Sequence, residues 1–117
     1  MSSEPADWTV SDLSTEYVKV LVRATVGGVN PYNPTSDQVQ FAFVEREGEP
    51  VSGDWVDGAW EDEAVVTPNG TVHQYRALGL VGPGAKVLAQ GYYDVYVKIF
   101  DSPETPVKYV GILEVGR

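Results

Sequence analysis

Residues 92–100 alternate with a period of two, and no feature of the chain constrains its fold more. Tyr93, Val95, Val97 and Ile99 take one side, while Tyr92, Asp94, Tyr96, Lys98 and Phe100 take the other. Such alternation belongs to a strand with one buried face. It recurs at residues 17–26, where Val18, Val20, Val22, Ala24 and Val26 oppose Tyr17, Lys19, Leu21, Arg23 and Thr25. β-branched side chains at this density also disfavour helix. Residues 38–44 repeat the pattern with Val39, Phe41 and Phe43 on one side. Residues 72–81 and 107–115 complete the set, and 62–67 is a shorter candidate.

Between these runs stand Gly27-Gly28, a proline-punctuated loop at 30–35, Gly48-Glu49-Pro50, Pro68-Asn69-Gly70, Gly82-Pro83-Gly84 and a connection at 101–106. Trp55 and Trp60 read as one short strand bent at Gly58. About six to eight short strands with turn residues between them favour an antiparallel sandwich or barrel over any α/β plan. The 117 residues suffice for one domain. The first ten to fourteen residues are polar and patternless, so the reading is an N-terminal arm at 1–14, with Trp8 and Leu13 as anchors, and a sandwich domain at 15–117.

Within the sandwiches, residues 88–97 narrow the choice. Immunoglobulin-type domains place a tyrosine near the start of their sixth strand, two residues before a core position, with its hydroxyl bonded back to upstream backbone. Tyr93 and Val95 hold those places. Phe41 or Phe43 would then stand for the second-strand core residue, and Trp55 or Trp60 for the packing tryptophan. The expectation is an all-β, antiparallel immunoglobulin-like β-sandwich with an extended N-terminal arm and no disulfide, since the chain has no cysteine.

Charge and composition remove several functions. Net charge is −9, and residues 45–63 hold most of it: Glu45, Glu47, Glu49, Asp54, Asp57, Glu61, Asp62 and Glu63 face Arg46 alone. Without a basic stripe, duplex nucleic acid and anionic membranes are poor partners. No apolar run is long enough to span a bilayer. The opening residues lack a secretory signal, which leaves Asn69-Gly70-Thr71 reading as a turn and not a glycan site. Zero cysteines and a single histidine, His73, exclude thiolate metal sites, histidine clusters and cysteine nucleophiles. The acidic run lacks the alternating acids of a hand-type calcium loop and reads as a solvated rim. No catalytic residues, cofactor or metal ligands are expected, and the chain reads as no enzyme.

Aromatic side chains remain. Trp8, Tyr32, Tyr92 and Tyr96 are candidates to stack on sugars or dock against protein. A sheet face carrying Tyr92, Tyr96 and Phe100 favours a second layer or a partner subunit. With Leu13, the candidate partner-binding set is Trp8, Leu13, Tyr32, Tyr92 and Tyr96.

Residues 91–99, the connection Asp101-Ser102-Pro103-Glu104-Thr105-Pro106 and the stretch Gly111-Ile112-Leu113-Glu114-Val115 together resemble small structural proteins of tailed bacteriophages, particularly of actinobacterial hosts. The segment around Trp55 and Trp60 is similar to the same group. The resemblance covers roughly residues 17–117 and rests on packing and turn motifs. It implies a virion component assembled in the host cytoplasm, whose partners are the major capsid protein or other virion subunits, copies of itself included. A minor capsid or decoration protein that stabilises the shell fits best. A head-to-tail connector or tail component, or a carbohydrate-binding or host-adhesion module, are the alternatives.

Overall fold

The computed structural model describes residues 6–22, 25–26, 30–31, 37–61, 65–66, 73–100 and 105–116. Among the described residues the regular structure is strand, apart from one 3-10 turn at Ser52–Asp54. The strands are β1 (Trp8–Ser11), β2 (Glu16–Val22), β3 (Thr25–Val26), β4 (Asn30–Pro31), β5 (Gln38–Glu45), β6 (Trp55–Asp57), β7 (Ala59–Trp60), β8 (Val65–Val66), β9 (His73–Val81), β10 (Gly91–Phe100) and β11 (Val107–Gly116).

Two sheets pack face to face as a sandwich. One runs β1-β11-β10-β5-β6; the other runs β2-β9-β7, with β8 also on β9, and β3 and β4 form a separate two-stranded pair. The alternating residues face inward as their pattern requires. Val39, Phe41, Phe43, Tyr93, Val95, Val97, Leu113 and Val115 line one wall, and Val18, Val20, Ala77 and Val81 line the other. Phe41, Leu113, Val18, Val39, Val81 and Val95 are the largest of the fully buried side chains. Each Val or Leu removed from water in this way stabilises the fold by about 1.5–3 kcal/mol before conformational entropy is charged against it.

Tyr93 is buried, and its hydroxyl donates to the Ala89 carbonyl at 2.7 Å. A phenol taken out of water needs such a partner. The contact ties the start of β10 to the connection leading into it.

Several expectations give way. Residues 8–11 are not an arm: β1 pairs in parallel with β11, from Trp8 opposite Leu113 to Ser11 opposite Gly116. Asp7 and Asp12 extend this pairing through their backbone amides to the Ile112 and Gly116 carbonyls. Val10 is buried and Trp8 packs on the core, so the sandwich includes residues 8–11. Four residues are too few to show a pattern on their own, and their partner lies about a hundred residues away. Residues 1–5 lie outside the described residues.

Of the strand expected at 17–26, residues up to Val22 belong to β2 on β9 and Thr25–Val26 form β3 on β4, while residues 23 and 24 lie outside the described residues. Trp55 and Trp60 belong to different sheets, because β6 pairs with β5 while β7 pairs with β9. Gly58 is the crossing point, where a β-carbon would meet the Phe41 ring at 2.8 Å and the Leu78 carbonyl at 2.9 Å. Phe41 and Phe43 sit in the same sheet as Val95, Phe43 directly beside it, so neither is its counterpart across the sandwich.

A bulge interrupts the β10–β11 ladder. Val95 opposes Gly111 and Tyr96 opposes Tyr109, which leaves Val110 as the extra residue. Gly111 adopts φ 150, and a β-carbon there would come within 2.8 Å of Trp8 Cζ3. Glycine at this position therefore serves both the bulge and the docking of β1.

Candidate protein-docking face

The outward residues of the five-stranded sheet fall into rows set by strand register. Tyr109, Tyr96, Ala42 and Trp55 lie side by side across β11, β10, β5 and β6. Above this row lie Val107, Lys98, Gln40 and Asp57; below it lie Ile112, Asp94 and Val44. Tyr109 and Val107 are 52 % and 49 % exposed. Tyr96 and Tyr109 meet edge to face, with ring centroids 5.6 Å apart at 66°. The bulge creates this pair: counting by two from Val115 would turn Tyr109 inward, and the extra residue turns it out.

The polar groups on this face are matched to one another. Asp94 is buried, 7 % exposed, and accepts from Arg46 Nη1 at 2.9 Å and from the Glu47 amide at 3.2 Å. Those two bonds fold the β5–β6 connection against the lower part of the sheet. Gln38 and Gln40 both donate side-chain amides to Asp57 Oδ1, at 2.8 and 3.0 Å. The Gln40 bond, followed by that of Gln38, holds the Asp57 carboxyl below its ordinary range, with burial opposing. Lys98 Nζ stands 4.1 Å from the centre of the Trp55 ring and 5.6 Å from that of Phe100. Such a cation over an aromatic face is attractive by about 0.5–1 kcal/mol when exposed. Burial raises the Tyr109 phenol, helped by the Asp94 charge and opposed by Arg46.

The opposite outer face, on β2, β9 and β7, differs. Tyr17 and Leu21 are exposed, but Glu61 lies between Arg76 Nη1, 2.8 Å away, and Lys19 Nζ, 3.5 Å away. The Arg76 bond is the largest cause holding the Glu61 carboxyl below its ordinary range.

The candidates separate cleanly. Tyr92 and Tyr96 share the five-stranded face, where the Tyr92 hydroxyl donates to Glu114 Oε2 at 3.2 Å. Trp8 is half-buried and packs inward, its Nε1 donating to the Lys19 carbonyl at 3.0 Å, so it serves the core and the β2 edge and is no free anchor. Leu13 is 74 % exposed in the β1–β2 turn, at the end of the sandwich and off this face. Tyr32 lies outside the described residues. Tyr109, Val107 and Trp55 join the face although the docking set did not include them. Gly111 inside a strand pattern is the signal that would have pointed to the bulge and so to Tyr109.

The acidic stretch builds no cation site among the described residues, where no group of three potential ligands converges. Asp54 accepts from the Val51 amide, Asp57 from two glutamines and Glu61 from two cations, so each carboxylate serves a different contact. Among the described residues no helix is long and apolar enough to cross a membrane. Compared with protein families, curated proteins and solved structures, the chain matches none.

Proposed function

We propose that the chain is a non-enzymatic structural protein of a tailed-phage virion, a minor capsid or decoration protein that docks on the shell through the outer face of its five-stranded sheet. The resemblance of residues 91–115 to phage structural proteins suggests the particle. The single observation that carries docking is the row Tyr109, Tyr96 and Trp55, set about the fully buried Ala42 on a pre-formed sheet where Gln38, Gln40, Asp57, Arg46 and Asp94 are bonded to one another. Such a face loses little entropy or hydration when a partner covers it.

The same geometry disfavours a sugar platform. A platform needs coplanar free rings with free amides beside them, but Tyr96 and Tyr109 are tilted by 66°, Trp55 lies under Lys98, and both glutamines are engaged with Asp57. An immunoglobulin-type sandwich is part of the proposal. Its support is the sheet order, with β2, β9 and β7 against β5, β10 and β11, together with the Tyr93–Ala89 contact at the head of β10.

Purified protein added to shells assembled without it should bind at a saturable, symmetry-related number of sites, and the shells should then survive heat or low salt better. Chelator should leave binding intact. Binding only at the connector or tail would move the protein to those parts. Retention on host cell-wall glycan, with no binding to particles, would replace the proposal by adhesion.

A further inference from the structure

We propose that the partner surface on the outer face of the five-stranded sheet is apolar at its centre and basic at its margin, and is not a second copy of this chain. This rests on the docking reading of the same face and names the chemistry it selects.

Size comes first. With β1 only four and β6 only three residues long, strands about 4.8 Å apart rising about 3.3 Å per residue present roughly 550 Å², about two thirds of the roughly 800 Å² that each partner contributes to a standard stable interface. The three-stranded face is narrower and divided by the Lys19–Glu61–Arg76 cluster.

Charge then selects the partner. The margin on the β5–β6 side holds Glu47 and Glu49, both exposed, with Asp54 leading into Trp55. The cations nearest to them are committed within the face, Arg46 on Asp94 and Lys98 over Trp55. A second copy brings a net charge of −9 and the same acidic margin, and like charges across an interface oppose docking. Lysine or arginine around an apolar patch satisfies centre and margin together.

Two synthetic β-forming peptides serve as probes, one alternating leucine with lysine and one alternating leucine with glutamate. With ¹⁵N-labelled protein, the leucine–lysine peptide should shift the amides of Tyr96, Tyr109 and Ile112 and the Trp55 indole, and the leucine–glutamate peptide should not. Raising salt from 50 to 500 mM should weaken binding roughly tenfold, as screening of exposed charges requires. Replacing Glu47 and Glu49 together by Gln should weaken it roughly threefold, and Tyr109→Ser should remove it. Spectra of each variant without peptide establish that the fold is retained.

Equal binding of both peptides, binding indifferent to salt, or shifts confined to the β2-β9-β7 face would overturn the proposal. So would a dimer in sedimentation that Tyr109→Ser dissolves. A protein that takes the basic peptide on this face yet ignores shells would refute the virion reading and leave this one standing.

Discussion

A β-carbon on Gly79 would lie 2.7 Å from both Cγ and Cδ2 of Phe41, so the ring of one sheet rests on the bare backbone of the other. This contact sets how closely the sheets approach at the centre of the sandwich. Gly79→Ala should therefore cost about 1–3 kcal/mol through overpacking. Phe41→Leu in the Gly79→Ala background should recover part of the loss, and urea unfolding of the two single variants and the double variant would measure the coupling.

Tyr93→Phe removes the donor to the Ala89 carbonyl and should cost about 1 kcal/mol. Alkaline pH gives a second readout. Burial, and then the Glu45 charge, raise the Tyr93 phenol in the folded state. Its contribution is thus complete below the unfolded value near pH 10 and is lost as pH rises through the folded value. Tyr93→Phe should show a shallower loss of stability above about pH 10. A remaining slope is expected because the Tyr109 phenol is also raised.

Gly111→Val should detach β1. The new side chain would enter the space held by Trp8 and Asp7, and it would have to adopt φ 150. Loss of slow amide exchange at Ile112 and in residues 9–11, with β2–β9 protection retained, is the expected pattern. If truncating residues 1–11 leaves thermal stability unchanged, β1 contributes nothing to the core.

Arg46→Ala leaves the buried Asp94 carboxylate with the Glu47 amide but without its guanidinium. The cost should be about 1–3 kcal/mol, the penalty for a poorly compensated buried polar group. Arg46→Ala combined with Asp94→Asn should cost less than the sum of the two single changes. Additive costs in denaturant unfolding would mean that the pair is not coupled.

What the sequence disclosed follows the range of the interactions. Strands β5, β10 and β11 are legible because alternation is written into consecutive residues, and the Tyr93 contact because its acceptor lies four residues upstream. β1 is hidden because its partner is β11, at the far end of the chain. The transfer between sheets at Gly58 depends on Phe41 and Leu78, neither of which is a sequence neighbour. Of the candidate site, Tyr92 and Tyr96 are readable from parity, whereas Tyr109 changes sides through one extra residue at Val110.

The central claim is that the outer face of the five-stranded sheet meets a virion subunit, and a density map of shells saturated with the protein tests it most directly. Tyr96, Tyr109 and Trp55 should lie within contact distance of shell protein, lysine or arginine side chains should stand near Glu47 and Glu49, and Tyr17 and Leu21 should face away. Density that seats the β2-β9-β7 face on the shell, or saturated conditions that leave the shell bare, would contradict the account.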